Sequence, residues 1–246
     1  MTAADAEARE KARQRLARFL ASLGLEPSAP SPCPYLGGRE SRLLLLRPRE
    51  LAPGLYQLLL DLNFRRLGRG VYRPACDACT ECHQLRVEVP AFRPSRSQRR
   101  CRDRNADVVA TFGPPDPTEE KHDVYRRYLE ARHGGEMTGS WDEFADFLYE
   151  APALARETVY RVGGRLVGAG IVDLEPEAMS AVYFYFDPDL ANRSPGTFNV
   201  LWLLDECRRR GISWLYLGYH VAGGRGMDYK TAFRPHQILG ANGVWR

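Results

Sequence analysis

Hydrophobic residues in the first hundred positions switch between helical and strand-like spacing. Apolar residues at helical intervals within 5–23 predict an amphipathic helix, and PGLYQLLLDLNF (53–64) predicts a helix with proline in its first turn. The short apolar run SRLLLLRP (41–48) and the segment LRVEVPAF (85–92) are typical of strands. The first half is therefore expected to mix short helices with strands.

Beyond residue 105 the pattern changes to strands interspersed with three helices. Thr118 and Ser140 are capping residues before two of these helices, and Gly211 follows the third. The predicted helices are 118–133, 140–150 and 197–211, and the predicted strands are 158–162, 165–174, 179–188 and 214–219. The first three strands follow one another closely, which favours an antiparallel meander.

A segment with three prolines, 106–117, separates the two patterns. We therefore expect an N-terminal domain at 1–105 and a second domain at 106–246, in an α+β fold. Antiparallel strands, a glycine-containing loop, a long helix and one more strand resemble the core of the acetyltransferase-type (GNAT) fold. The expected architecture is a GNAT-like C-terminal half with a smaller, basic, cysteine-containing N-terminal half.

Positive charge is concentrated in the first half. Between Arg39 and Arg104 there are fifteen arginines, no lysine and seven acidic residues, and seven of those arginines fall within 86–105. Arginine can form two parallel hydrogen bonds to a phosphate, so the composition favours nucleic acid as a partner. A solvated basic surface without a partner is the alternative.

The amino terminus is charged throughout and has no apolar stretch, so we expect no signal peptide. No apolar run approaches the roughly 18–20 residues that a membrane span requires. We therefore expect a cytoplasmic protein without membrane contact. In that reducing compartment, cysteines are thiols or metal ligands more often than disulfides.

The sequence CDACTEC, followed directly by a histidine, is a candidate metal site. Cysteines spaced as C-x-x-C let two thiolates reach one ion, as in zinc and iron–sulfur sites. The candidate ligands are Cys33, Cys76, Cys79 and Cys82. The second C-x-x-C pair of a zinc ribbon is missing, so a loop without metal remains the alternative.

The loop NRSPGT, at the start of the predicted helix 197–211, is a candidate phosphate site. Backbone N–H groups and the helix dipole favour a phosphate at a helix start. Arg193 and Gly196 match two positions of the R-x-x-G-x-G/A loop of coenzyme A-dependent acetyltransferases, and Thr197 lies between the motif positions. The third small position is Phe198, whose ring is expected to crowd a pyrophosphate.

A second dense stretch, 218–235, begins at the end of a predicted strand, where open sheets generally bind ligands. Tyr229, Lys230 and Arg234 supply a phenol, an ammonium and a guanidinium there. The chain has only three lysines, and the other two lie in ordinary charged helices. Lys230 is therefore the candidate donor to an oxyanion or a phosphate, and a surface lysine is the alternative.

Several long motifs together resemble the arginyl-tRNA–protein transferase family, and within it the bacterial aspartate/glutamate leucyltransferase subfamily. The resemblance covers nearly all of residues 30–245. The motifs that carry it lie at 33–44, 63–87, 92–100, 125–133, 180–202 and 215–235.

The resemblance implies an enzyme that takes leucine from leucyl-tRNA. It would join the leucine to the α-amine of proteins beginning with Asp or Glu, which marks them for N-end rule degradation. An aminoacyl ester is already activated, so no cofactor is expected to be required for transfer. A zinc ion or iron–sulfur cluster at the cysteines would be additional.

Roles follow for the candidate residues. We assign Lys230 to the oxyanion or leaving oxygen, with Tyr229 positioning it, and Tyr219 and Tyr185 to orienting or deprotonating the amine. The candidates for the acceptor carboxylate are Arg73, Arg86 and Arg234. Two alternatives remain open: a coenzyme A-dependent N-acetyltransferase, which Phe198 disfavours, and a non-catalytic tRNA-binding protein.

Overall fold

A seven-stranded mixed sheet forms the centre of the protein, in a computed structural model that describes residues 3–133, 139–224 and 227–246. The strands, in chain order, are β1 (Ser31–Pro32), β2 (Glu40–Ser41), β3 (Leu43–Leu46), β4 (Arg65–Leu67), β5 (Gly70–Pro74), β6 (His83–Glu88), β7 (Val109–Gly113), β8 (Ala155–Val162), β9 (Arg165–Leu174), β10 (Ala178–Phe186), β11 (Trp214–His220) and β12 (His236–Ile238). The large sheet has the order β12-β6-β11-β10-β9-β8-β7, and β3, β5 and β4 form a smaller sheet.

The helices of the described residues lie mostly around the large sheet. They are α1 (Ala3–Ser22), α2 (Leu55–Asp61), α3 (Arg96–Arg104), α4 (Glu119–His133), α5 (Trp141–Phe144) and α6 (Pro195–Arg210). Helix α5 continues into a π-helical turn at Ala145–Tyr149, and 3₁₀ turns occur at Pro188–Arg193 and Asp228–Ala232. In the part of the chain that is described, no helix combines the length and apolarity needed to span a bilayer.

Strands β8, β9 and β10 form the predicted antiparallel meander, and the α+β class is confirmed. The parallel pair β10–β11 is the exception in an otherwise antiparallel sheet. Strand β6, from the first half of the sequence, lies between β12 and β11. The division into domains at 1–105 and 106–246 stays a prediction.

Helices cover both faces of the large sheet because its central strands are apolar on both faces. Ile171 and Val172 are neighbours on β9 and belong to different buried clusters. Val172 packs with Leu201 and Leu204 of α6, whereas Ile171 packs with residues of α4 and α5 such as Tyr125. The long apolar face of α6 is thus explained by burial against the sheet.

The smaller sheet, together with α2, packs on the large sheet through Tyr216 of β11. Arg66 of β4 fixes the position of the smaller sheet, since its Nε donates to both carboxylate oxygens of Asp173 at 3.0 Å. Both side chains of this ion pair are buried. The tyrosine and the ion pair therefore join the two sheets.

Asp61, at the end of α2, joins four separate parts of the chain. Its carboxylate accepts hydrogen bonds from Arg9 of α1 at 2.7 Å, from Arg86 of β6 at 3.2 Å and from the Tyr216 hydroxyl of β11 at 2.6 Å. The indole Nε1 of Trp245 donates to the same carboxylate at 3.1 Å. Asp61 is only 4% exposed, so two cations are neutralised by one buried anion.

Two local predictions were incomplete. The pattern of apolar residues predicts no element in the arginine run after residue 92, but this run forms α3, which begins at a capping box between Ser95 and Gln98. The prolines of 106–117 predict a boundary between two domains, and this segment contains β7, which pairs with β8 at the sheet edge. The predicted ligand-binding stretch 218–235 includes residues 225 and 226, which lie outside the described residues.

Replacing Asp61 with Asn should lower the free energy of unfolding by about 3–5 kcal/mol, because it leaves the buried Arg86 without a counter-charge. Urea unfolding followed by circular dichroism measures the change. Glu177→Gln is the matched control: it also removes a carboxylate bonded to Arg9, but that side chain is 42% exposed. We expect the control to change the free energy by less than about 1 kcal/mol. Equal effects of the two substitutions would contradict this account.

Candidate active site

Strands β10 and β11 separate halfway along their length. They pair in parallel from Ala178 with Trp214 to Ser180 with Tyr216, and no further pair follows. Beyond that point β10 stays bonded to β9, and β11 stays bonded to β6. We call the resulting gap, bordered by residues 181–182 and 218–219, the β10–β11 cleft. It opens at the carboxyl ends of two parallel strands, the usual place for a ligand.

Arg65 of β4 enters this cleft. Its Nη2 donates to the backbone oxygens of Ala181 at 3.1 Å and Val182 at 3.3 Å. The guanidinium carbon lies 5.6 Å from the centre of the Tyr219 ring. The side chain is half-buried, and it forms no ion pair with any described residue. The neighbouring arginines of the fold, Arg66 and Arg86, both have buried acidic partners.

Gly218 makes room for this guanidinium. A Cβ atom at position 218 would lie 1.8 Å from Nη1 of Arg65, and the backbone φ of 77° also favours glycine. A bulge in the pairing of β11 with β6 falls between Tyr216 and Gly218. The cleft is therefore shaped around the arginine side chain.

Lys230 lies beside the same strand end, on the 3₁₀ turn that follows the loop. Its Nζ donates to the backbone oxygen of Tyr219 at 2.5 Å and contacts the sulfur of Met227 at 3.2 Å. The residue is 6% exposed. Burial, reinforced by the positive charge of Arg65, lowers the pKa of Lys230 to about 7. This amine can therefore gain or lose a proton near neutral pH.

The three predicted tyrosines lie in different surroundings. Tyr229 adjoins Lys230 and is 46% exposed. The Tyr219 hydroxyl donates to the backbone oxygen of Asn63 at 2.8 Å, and burial raises its pKa well above the ordinary value. Tyr185 is buried with its hydroxyl 3.2 Å from that of Tyr149, and burial raises its pKa too. The geometry gives Tyr219 and Tyr185 no support as bases at neutral pH.

The four candidate metal ligands, Cys33, Cys76, Cys79 and Cys82, line one cavity of about 640 Å³ together with Tyr35, Tyr72, Arg73 and Tyr219. We call it the cysteine cavity. Burial and the neighbouring thiols raise the pKa of Cys82 to about 12. Among the described residues, no three His, Cys, Asp or Glu side chains are placed to hold one ion, so the donor set does not fit a metal in this arrangement. Zinc or an iron–sulfur cluster stays a prediction.

The arginines predicted to bind the acceptor carboxylate differ in how many hydrogen bonds and ion pairs they already form within the protein. Arg86 lies 3.9 Å from the ring centre of Trp214 and 4.0 Å from that of Trp245, and it is bonded to Asp61 and Gln237. Its N–H donors are occupied within the fold, so the geometry does not support Arg86 as the residue that binds the acceptor carboxylate. Arg73 lines the cysteine cavity and has no ion pair among the described residues. Arg234 is exposed, and its Nε donates to the Thr231 backbone oxygen at 3.3 Å.

The predicted phosphate loop does lie at the start of a long helix, since α6 begins at Pro195. Nothing lies within 4 Å of the place where Gly196 would carry a Cβ, and Thr197 is half-buried. Arg193 forms an ion pair with Asp107 and donates to the Arg104 backbone oxygen at 3.1 Å. It therefore links this helix start to the end of α3.

The Phe198 ring lies against the sheet, 5.9 Å from the ring of Tyr160. Position 198 is in the first turn of α6, on the side that faces the sheet. Crowding of a phosphate by this ring, expected from the sequence, is not supported by its place in the structure.

A basic surface adjoins that helix start. We call it the α3 surface; it comprises the exposed arginines Arg96, Arg99, Arg100 and Arg104. Within the described residues, none of the four has an acidic partner, whereas the half-buried Arg102 pairs with Asp205 at 2.6 Å. Arg104 donates to the Ser194 hydroxyl at 3.4 Å, so the surface continues to the start of α6. Its chemistry suits a row of phosphates.

Sequence reasoning missed Arg65. It is one of fifteen arginines between residues 39 and 104, and nothing local distinguishes it from the others. The one available signal is the glycine at 218, inside the predicted strand 214–219, since glycine within a strand often marks a close approach by another group.

Several bacterial proteins similar in sequence to this chain are named aspartate/glutamate leucyltransferase. The protein from Halorhodospira halophila is 41% identical over 219 residues, covering 87% of this chain and 92% of that protein. The protein from Chromobacterium violaceum is 36% identical over 235 residues, covering 94% and 97%. A Pseudomonas aeruginosa protein of the same name is 39% identical over 223 residues, covering 89% and 95%.

A solved structure with a similar fold is a C-terminal domain from Agrobacterium fabrum described as part of a lysylphosphatidylglycerol synthetase. It matches with a TM-score of 0.51 at 15% identity, covering 79% of this chain and 68% of that one. This likeness concerns the fold alone, and it confirms the predicted acetyltransferase-type architecture.

Two family models also match, described as the N terminus of arginine-tRNA-protein transferase over residues 31–100 and its C terminus over residues 120–240. With relatives this similar over most of its length, the chain belongs to the arginine-tRNA-protein transferase family.

Proposed function

We propose that this protein transfers leucine from leucyl-tRNA to the N-terminal α-amine of proteins that begin with Asp or Glu. The observation that carries the proposal is about 40% identity, over nearly the whole chain, to proteins named aspartate/glutamate leucyltransferase. The products would enter N-end rule degradation in the cytoplasm. The reaction itself requires no cofactor, because the ester is already activated.

Lys230 is the base in this proposal. The α-amine of the acceptor must lose a proton as it attacks the leucyl ester, and the leaving ribose oxygen must gain one. A buried amine with a pKa near 7 can do both. This assignment keeps the predicted role of Lys230 at the leaving oxygen and withdraws its role at the oxyanion, because burial lowers the pKa of Lys230 and so disfavours its charged form.

The acceptor terminus would enter through the cysteine cavity. Arg73 and the exposed Arg39 both line this cavity without an acidic partner in the described residues. Arg73 is the half-buried one of the two, and its guanidinium lies 5.1 Å from the Phe64 ring centre. A carboxylate reaching Arg73 would gain a charge-assisted hydrogen bond. Tyr219 borders both this cavity and the β10–β11 cleft, so the acceptor amine would reach Lys230 past it.

The α3 surface would bind the tRNA donor. Its four arginines are free of acidic partners in the described chain, and the N-terminal turn of α6 adds backbone N–H groups at one end. Phosphate contacts of this kind give affinity and orientation without reading sequence.

A reconstituted assay tests the function. We expect purified protein to move radiolabelled leucine from leucyl-tRNA onto peptides beginning with Asp or Glu. We expect no transfer to peptides beginning with Arg, and no transfer of arginine from arginyl-tRNA. Acetylation of the same peptides from acetyl-CoA, without leucyl transfer, would identify an N-acetyltransferase instead. Binding of tRNA without any transfer would identify a non-catalytic protein.

Neutralising the α3 surface should weaken the tRNA complex without changing the chemistry. For Arg99→Gln combined with Arg100→Gln, we expect KM for leucyl-tRNA to rise about tenfold, with kcat unchanged. The slope of log affinity against log salt should fall by about 1–2, since two phosphate contacts are lost. Filter binding at several salt concentrations measures the slope. Arg18→Gln, an exposed arginine on α1, is the control and should change neither quantity. Unaltered affinity in the double variant would place the tRNA elsewhere.

The pH dependence of transfer should report the amine of Lys230. Burial lowers the pKa of Lys230, so the neutral base is present above about pH 7 and is lost as the pH falls below that value. The acceptor α-amine, with an ordinary pKa of about 7.7–8.0, must also be neutral. Log kcat/KM for the acceptor should therefore rise with a slope of about 2 below pH 7.

Lys230→Gln should reduce kcat/KM at pH 8 by at least about tenfold and lower that slope to about 1, because only the acceptor amine still titrates. Lys11→Gln, an exposed lysine on α1, should behave like the unaltered protein. A slope of about 2 retained in Lys230→Gln would remove this lysine from the proton transfer.

A further inference from the structure

Arg65 is a charged group whose charge the protein itself does not neutralise. Its Nη2 is bonded to two backbone oxygens, and no described acidic side chain forms an ion pair with it. Burying a cation without a counter-ion is unfavourable. The fold nevertheless maintains it there, since Gly218 leaves space for the guanidinium and two β10 carbonyls hold it. Such an arrangement is suited to an anion that is present only part of the time.

Three anions take part in the proposed reaction, and the geometry separates them. Phosphates of the tRNA meet exposed arginines on the α3 surface. The acceptor carboxylate meets Arg73 in the cysteine cavity, and the described residues lining that cavity do not include Arg65. The third anion is the oxygen of the tetrahedral intermediate, which forms beside the base.

Tyr219 contacts both Arg65 and Lys230, the proposed base. The ring of Tyr219 lies under the Arg65 guanidinium, and the backbone oxygen of Tyr219 accepts the hydrogen bond from Lys230 Nζ. Because Arg65 is fixed at Nη2, its Nη1 occupies a defined position in the β10–β11 cleft. A donor held in place before reaction is the requirement for stabilising a developing negative charge.

We propose that Arg65 is a catalytic residue that stabilises the oxyanion of leucyl transfer in the β10–β11 cleft. This rests on the proposed function. The acceptor nitrogen forms a bond to the ester carbonyl carbon, and the carbonyl π electrons move to its oxygen, which Arg65 faces. Lys230 takes the proton from the nitrogen. Collapse of the intermediate breaks the bond to the ribose oxygen, which receives that proton, so the products are an amide and free tRNA.

Steady-state kinetics of Arg65→Gln test the proposal. We expect kcat to fall about 10²–10³-fold, the loss typical of one oxyanion donor, while KM for each substrate stays within about threefold. The steep part of the pH profile should also move to higher pH, because removal of the neighbouring charge lets Lys230 hold its proton more tightly. That shift reports only the charge of Arg65 beside Lys230, so the fall in kcat on the high-pH plateau, where Lys230 is neutral in both proteins, is the result that decides the role.

Gly218→Ala gives an independent test, because the added Cβ displaces the Arg65 guanidinium without removing it. It should reproduce the kcat loss of Arg65→Gln, and the double variant should be no slower than either single variant, since both remove the same interaction. Arg69→Gln, an exposed arginine at the next turn, is the matched control and should keep full activity. Thermal unfolding of each variant shows whether it is folded.

The outcomes separate this proposal from the function it rests on. No leucyl transfer by the unaltered protein would reject the proposed function. Transfer by the unaltered protein with kcat retained in Arg65→Gln would reject the role of Arg65 alone. In Arg65→Gln, a raised KM for Asp-starting peptides with kcat unchanged would indicate that Arg65 binds the acceptor carboxylate, and it would overturn the proposal. If Arg65→Gln does not fold, Arg65→Lys tests the role in its place. Lysine keeps the positive charge but lacks the planar guanidinium whose donors are held in fixed positions. A retained kcat in Arg65→Lys would again reject the role.

Discussion

The architecture depends on Asp61, a buried carboxylate to which Arg9, Arg86, Tyr216 and Trp245 all donate. These donors come from α1, β6, β11 and the end of the chain. A single anion shared in this way fixes β6 against β11, and so places residues from the first half of the sequence inside the large sheet. Arg65, four residues after Asp61, is brought to the β10–β11 cleft as a result.

The arginines illustrate how one residue type acquires different tasks through burial. Arg66 and Arg86 are neutralised by buried carboxylates and hold sheets and strands together. The arginines of the α3 surface are solvated and suited to phosphates. Arg65 is half-buried without an acidic partner in the described chain. Charge alone does not distinguish these cases; the burial of each guanidinium and the presence of a buried counter-ion do.

The sequence pattern predicted the second half well because its strands are apolar over long runs and α6 ends at a glycine with positive φ. It missed α3 because that helix buries only Gln98 and Cys101 and has no apolar stripe. The capping box from Ser95 to Gln98 was the remaining signal. Lys230 could be predicted because lysine is rare in this chain, whereas Arg65 could not, since its distinction depends on Gly218, more than 150 residues away.

The position of Lys230 has a thermodynamic consequence. A free α-amine in water has a pKa of about 7.7–8.0. Burial brings the pKa of the Lys230 side chain to about 7. Formation of the bond to the carbonyl carbon makes the attacking nitrogen more acidic than that free amine, so passing its proton to Lys230 is favourable. A group of this acidity can receive the proton during attack and release it afterwards without becoming trapped in either state.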